Sequence, residues 1–332
     1  MKINKRLILC AAAVFAFALE SLCARDALFE GEDYSVAVKY NNTACPGDAV
    51  FARMVISQNS KQIKKIKLNL DKTDAIMELY QGEKKLDKSA FYKLENDSSR
   101  SSVTYLTGIP LSSWWNSDNS YSLKITYKLS NSKTFDFTLP FAMEYKKFNE
   151  ETIPLDTRNT EIRTDTSPKR MSQIEKLNGI LATVNASHIY QTKSFEQPTD
   201  ITRRTAYFAD RRIYAYSNGK SSTSLHYGTD YGAPKGSDVS ACAAGKVVLA
   251  EDRVTTGYSV VIEHLPGLYS LYYHMSELKV KEGDMVKEGQ LIGLSGATGL
   301  ATGPHLHWEM RLNMAAVNPD FFTTDFTFAD AN

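Results

Sequence analysis

Gly299-Leu300-Ala301-Thr302-Gly303-Pro304-His305-Leu306-His307-Trp308-Glu309 is the stretch on which the reading of this chain turns. Glycine and proline punctuate its first half, whereas its second half alternates with the period of a strand. In an extended segment successive side chains point to opposite faces, so His305 and His307 share one face and Leu306 takes the other. Working outward, glycine-separated runs at 246–250, 259–263, 269–273, 290–294 and 305–310 predict a compact antiparallel β-sheet domain over residues 203–325. Only six histidines occur in the chain, and five of them, His226, His264, His274, His305 and His307, fall in this domain.

Upstream, His226-Tyr227-Gly228-Thr229-Asp230 sets a histidine and a carboxylate four residues apart, on one face if the segment is extended. Two imidazoles and one carboxylate form a three-ligand set suited to Zn²⁺, with the fourth tetrahedral position left to water as in catalytic sites. Thiolates are absent from the set, which disfavours a zinc finger.

His226-x-x-x-Asp230, Tyr272-x-His274-Met275-Ser276 and the Gly299–Glu309 run occur in an order that resembles the lysostaphin-type, or LytM, zinc endopeptidases. The resemblance covers about 203–322 and closes on Val317-Asn318-Pro319. It implies that His226, Asp230 and His307 hold one Zn²⁺. It further implies that His274 and His305 flank a zinc-bound water that acts as nucleophile, with His305 as the preferred general base. The substrates it implies are peptide bonds of bacterial peptidoglycan, in stem-peptide cross-links or in bridges. Two departures bear on groove shape: Ala209 in Phe208-Ala209-Asp210 stands where the family usually has glycine, and Tyr258-Ser259 replaces a common glycine-asparagine pair. The alternative is a non-catalytic cell-wall binding or regulatory protein on the same fold, a reading that normally accompanies lost ligands. His264 reads as structural, and His188 lies outside the domain. Arg211 and Arg212 either bind a substrate carboxylate or make surface ion pairs.

The remainder of the 332 residues reads as mostly β as well. With 42% hydrophobic, 11% aromatic and 23% charged residues, the composition excludes disordered and collagen-like chains, and the length suggests two domains. A formal charge of +1 gives no footing for nucleic acid. Lys2, Lys5 and Arg6 before an apolar stretch from Leu7 to Leu19 form an expected export signal over 1–24, too short for a stable membrane span. Lipid anchoring at Cys23 is the lesser alternative, because Leu22 is a poor match to the small residue expected there. The protein is therefore expected in the periplasm or cell envelope.

Residues 25–148 show short alternating runs and turn signals, and predict an immunoglobulin-like β-sandwich; Tyr121, Leu123, Ile125, Tyr127 and Leu129 share one strand face. Trp114-Trp115 is either a carbohydrate-stacking platform or one core residue beside a partly covered neighbour. Residues 149–202 read as a polar linker with one amphipathic helix, started by Ser167-Pro168 and carried by Met171, Ile174, Leu177 and Leu181. This first part of the chain either only positions the enzyme or lies across its groove. Cys45 and Cys242 either pair or remain free.

Overall fold

A computed structural model describes residues 25–31, 33–58, 70, 73–97, 101–129 and 134–324. The expected export signal and Cys23 lie outside the described residues. Among the described residues no helix is long and apolar enough to cross a membrane.

The chain is mostly β. Its first half holds two five-stranded sheets, one in the order Arg25–Glu30, Tyr34–Tyr40, Ala49–Gln58, Ser102–Pro110, Tyr92–Asp97, the other Thr43–Ala44, Thr134–Met143, Tyr121–Leu129, Thr73–Gln81, Lys84–Ala90. Alternation explains how they meet. Tyr121, Leu123, Ile125, Tyr127 and Leu129 are all buried, and they join Met54, Ile56, Met77 and Leu79 in one apolar core between the sheets. Each such side chain contributes about 1.5–3 kcal/mol on burial, and the intervening Ser122, Lys124, Thr126 and Lys128 are left at the outer face.

The second half is built on an antiparallel sheet in the order Arg204–Ala206, Gly228–Tyr231, Leu306–Leu312, Leu268–Met275, Gly257–Leu265, Gly245–Arg253, Met285–Val286. Leu306, Trp308, Met310 and Leu312 face a core that also takes in Tyr272, Val260 and Ile262. Phe195 and Phe322 stack within this core, and Phe51 of the first half packs edge-on against Phe322, so apolar packing is continuous between the halves. Asn318 reinforces the junction, donating from its side chain to Asp48 Oδ1 (2.8 Å) and from its backbone to the Gly47 carbonyl (2.7 Å).

The connecting segment departs from the sequence expectation of a polar stretch with one helix. Glu150–Pro154 is a strand that pairs in parallel with Arg211–Ala215, and Thr157–Thr164 is a helix capped by Asp156, whose side chain accepts from Asn159 N–H. Neither has an apolar stripe: the strand is held by backbone pairing and the helix by side-chain donation to the Gly299 and Ala301 carbonyls, signals that periodicity does not carry. The expected amphipathic helix is Pro168–Leu181, capped by Ser167. Fourteen residues are marginal as a helix alone in water; Leu181, Leu177 and Ile180 pack on Leu249, Val261, Tyr269 and Leu271 of the sheet.

Candidate active site

The site grows from strand register. Asp230 of Gly228–Tyr231 lies directly opposite His307 of Leu306–Leu312, and Tyr273 lies opposite His307 on the other side. Same-face neighbours in a sheet are within contact distance, so the pairing alone brings a carboxylate and an imidazole together. His226 precedes its strand, and its Nε2 comes within 3.0 Å of Asp230 Oδ1 and 3.0 Å of His307 Nδ1. His307 Nδ1 stands 2.8 Å from Asp230 Oδ1. All three residues are buried.

Partners behind each ligand set which atom is free. A carbonyl only accepts, so His226 Nδ1–H donates to the Tyr207 carbonyl (2.8 Å) and leaves Nε2 with its lone pair. His307 Nε2 faces Glu309 Oε2 at 3.5 Å, which leaves Nδ1 turned towards Asp230 and His226. The Tyr273 ring stacks on His307 at 5.3 Å and 5°. Arg212 donates to Glu151 (2.7 Å) and to Asp230 Oδ2 (3.4 Å), holding the outer carboxylate oxygen away from the cluster.

Electrostatics follow from burial and these contacts. Burial opposes charge on Asp230, but His226 and His307 outweigh it and hold the carboxyl well below its usual range. Burial also opposes a charged His307; hydrogen bonds to Asp230 and Glu309 outweigh it and push its pKa up to about 9. At His226 burial dominates and pulls the pKa down. One proton at the junction serves only one pair of the three converging atoms, whereas a divalent cation serves all three. The nitrogen and oxygen donor set thus fits a metal ion, and these three residues form the one such group among the described residues.

His274 and His305 flank the cluster with ring centroids 4.7 Å apart. His274 Nδ1–H donates to the Thr298 carbonyl (2.8 Å) and His305 Nδ1–H to the Gly303 carbonyl (2.9 Å), so in the neutral form of each ring Nε2 is the nitrogen that bears the lone pair. His305 Nε2 is 3.9 Å from Asp230 Oδ1. Burial, followed by the neighbouring His305 and His307 rings, lowers the His274 pKa to about 3. His274 also has φ of +61°, a left-handed backbone uncommon for a residue with a Cβ, held by its N–H to the Thr256 carbonyl (2.9 Å).

These side chains line an open cavity of about 230 Å³. The connecting segment forms part of its wall through Ile153, Leu155 and Arg163. Arg158 and Asn159 of its helix donate to the Gly299 (3.1 Å) and Ala301 (3.4 Å) carbonyls across from them.

The remaining residues singled out in the sequence have other surroundings. His264 is buried away from the cluster: Nδ1–H donates to the Ala244 carbonyl (2.8 Å) and Nε2 meets the Ser270 hydroxyl (2.7 Å). His188 contacts Glu263 (2.7 Å). Cys45 and Cys242 are free thiols, Cys242 buried. Arg211 makes no ion pair among the described residues; its guanidinium stacks on Trp114 (3.9 Å) and Phe148 (4.5 Å). Ala209 has φ of +64°, which accounts for a glycine preference there.

Arg212, expected to bind a substrate carboxylate or to make a surface ion pair, is instead mostly buried and pairs with Glu151 and Asp230. Three contributors are not singled out by the sequence: Glu309 behind His307, the Tyr207 carbonyl, and Gly228. Glu309 was readable, being two residues beyond His307 on the same strand face. Gly228 was not, since its requirement is tertiary: a Cβ there would stand 2.3 Å from the Trp308 carbonyl and 2.8 Å from His307 Nε2.

Comparison with known proteins bears on the same region. Residues 224–319 match Peptidase family M23. Over 95 residues the chain is 44% identical to the DD-carboxypeptidase/endopeptidase Mpg of Neisseria meningitidis serogroup B, a match covering 29% of this chain and 22% of that protein. It is 44% identical over 93 residues to the peptidoglycan DD-endopeptidase ShyB of Vibrio cholerae, covering 28% and 22% respectively. The matched part thus spans about a fifth of the length of these relatives. A solved structure of a peptidase M23 from Pseudomonas aeruginosa aligns with a TM-score of 0.52 at 21% identity, over 85% of this chain and 96% of that one, and shares the fold. Residues 224–319 of this chain are a peptidase family M23 domain.

Proposed function

We propose that this chain is an exported zinc endopeptidase that hydrolyses peptide cross-links of bacterial peptidoglycan in the cell envelope. The observation that carries the reading is the convergence of His226 Nε2, Asp230 Oδ1 and His307 Nδ1, with His226 Nδ1–H bound to the Tyr207 carbonyl and His307 Nε2 facing Glu309 from behind. The names of the relatives, both endopeptidases and one of them a peptidoglycan DD-endopeptidase, support the substrate class.

When bound, Zn²⁺ supplies a Lewis acid that polarises the peptide carbonyl and lowers the pKa of water. His226, Asp230 and His307 hold it, and Arg212 keeps Asp230 from turning its second oxygen inward. His305 Nε2, with its Nδ1 proton committed to Gly303, takes the proton of the attacking water as general base. His274 Nε2, the nitrogen left without a proton while Nδ1–H is bound to Thr298, accepts a hydrogen bond from the attacking water and orients it. The proton taken up by His305 then goes to the departing amine. The left-handed backbone at His274 costs about 1–3 kcal/mol, which is understandable if the ring must face this cavity.

Digestion of purified peptidoglycan, with the released fragments identified by mass, tests the reading. Cleaved cross-linked dimers, abolished by a chelator and restored by zinc, are the expected result. Intact dimers after prolonged incubation with zinc-loaded protein would refute it.

A further inference from the structure

Trp114 is the exposed one of a tryptophan pair, at 68% of its surface, while Trp115 packs against the sandwich core beside Tyr121. An aromatic ring this exposed normally moves freely, but Trp114 is held. The Arg211 guanidinium lies 3.9 Å from its ring centre and is itself fixed by the Ser113 carbonyl (2.7 Å), the Ser113 hydroxyl (3.2 Å), the Ala209 carbonyl (2.9 Å) and the Phe148 ring (4.5 Å). Tyr227 repeats the arrangement: it is 45% exposed, and Arg311, ion-paired with buried Glu309, lies 4.8 Å over its ring. Both rings line a second cleft, of about 240 Å³, between the sandwich loop and the peptidase sheet. Leu225, His226 and Tyr227 line this cleft and the catalytic cavity alike, so the two share a wall.

We propose that this second cleft is a saccharide subsite, in which Trp114 stacks on a sugar ring of a glycan strand whose attached peptide passes Tyr227 into the catalytic cavity. A rigid flat face with one side covered and the other open suits the C–H face of a pyranose. Besides His226, the polar side chains in its otherwise largely apolar lining are Ser112, Ser113 and Asp87, hydroxyls and a carboxylate suited to sugar hydroxyls. Arg211, the cation nearest the ring, is occupied by five partners, so the cleft offers little to a phosphate or carboxylate. A glycan with a peptide branch is the ligand that occupies both cavities at once, so the inference rests on the peptidoglycan reading above.

The test compares full-length wild type, Trp114→Ala and Trp114→Phe on two substrates: glycan strands bearing cross-linked peptides, and the same cross-linked peptides freed of sugar. Trp114→Ala should lower the ratio of kcat/KM on the glycan-bearing substrate to that on the sugar-free one by about tenfold, through KM, and Trp114→Phe should restore part of it. Peptide-free glycan strands should quench tryptophan fluorescence in wild type and not in Trp114→Ala. An unchanged ratio, or glycan binding undiminished in Trp114→Ala, overturns the subsite. If neither substrate is cut, the endopeptidase reading fails, and the fluorescence titration still decides the subsite.

Discussion

Two strands of this molecule have the same alternating pattern and opposite meanings. In Tyr121–Leu129 the apolar positions enter the core, and Ser122, Lys124, Thr126 and Lys128 occupy the outer face, where a Lys124–Asp136 pair is exposed to water. In Leu306–Leu312 the apolar positions also enter a core, yet the polar positions His307 and Glu309 are buried too, with Arg311 largely covered. Burying an imidazole and a carboxylate is costly unless they are paired. In the sandwich strand the polar face is simply the solvated side of a sheet; in the peptidase strand it is one wall of a cluster that compensates each member. A polar strand face kept from water is thus a mark of chemistry, and a polar face given to water is not.

The contrast breaks most visibly if the flanking histidines prove dispensable. His305→Ala and His274→Ala should keep zinc and lose about 10² to 10⁴ in rate, measured by release of cleaved cross-links per bound metal. Near-normal turnover in both would make the buried polar face structural after all. Arg212→Gln should act one step removed. Asp230 would lose the contact on its outer oxygen, and metal affinity or activity should fall about 10- to 100-fold, read by competition with a chelator. Undiminished affinity would show that strand pairing alone orients Asp230.

A subtler sharpening uses His264, a buried imidazole in the same sheet that faces only neutral groups. Burial lowers its pKa to about 4, partly offset by the Ala244 carbonyl. The unfolded chain takes up the proton near the ordinary value of about 6.5, so stability is complete above that pH and is lost as pH falls towards 4. Integrated over that window the loss is about 3 kcal/mol. Denaturant unfolding of wild type and His264→Gln at pH 7.5 and 4.5 checks this: the wild type should lose more than the variant. Parallel losses would mean that His264 does not carry the pH dependence.

The register of these elements explains how much was legible beforehand. His305-x-His307 on a strand fixes two imidazoles to one side by period alone, and the alternation at 121–129 fixes a buried face in the same way. The three sequence motifs fixed the order of the ligands, but nothing local says that Asp230 pairs opposite His307; that is a property of sheet topology. The connecting segment reads in sequence as a polar linker with one amphipathic helix, Pro168–Leu181, because its strand and first helix have no apolar periodicity. Their reason for being is tertiary, a parallel pairing with Arg211–Ala215 and side-chain bonds to the carbonyls of Gly299 and Ala301. The sequence singles out Arg212 as a carboxylate partner but not which carboxylate, since an arginine beside another arginine in a strand gives no sign of whether it will reach a substrate, a surface acid or Asp230.

Metal content tests the central claim most directly, namely that the buried polar face of Leu306–Leu312 exists to hold a catalytic ion. Full-length wild type and His307→Ala, purified alike, dialysed against zinc and then freed of loosely bound ion, are compared by elemental analysis per folded chain. The account predicts one zinc per wild-type chain and almost none in the variant. A full equivalent of tightly held zinc in His307→Ala would contradict it.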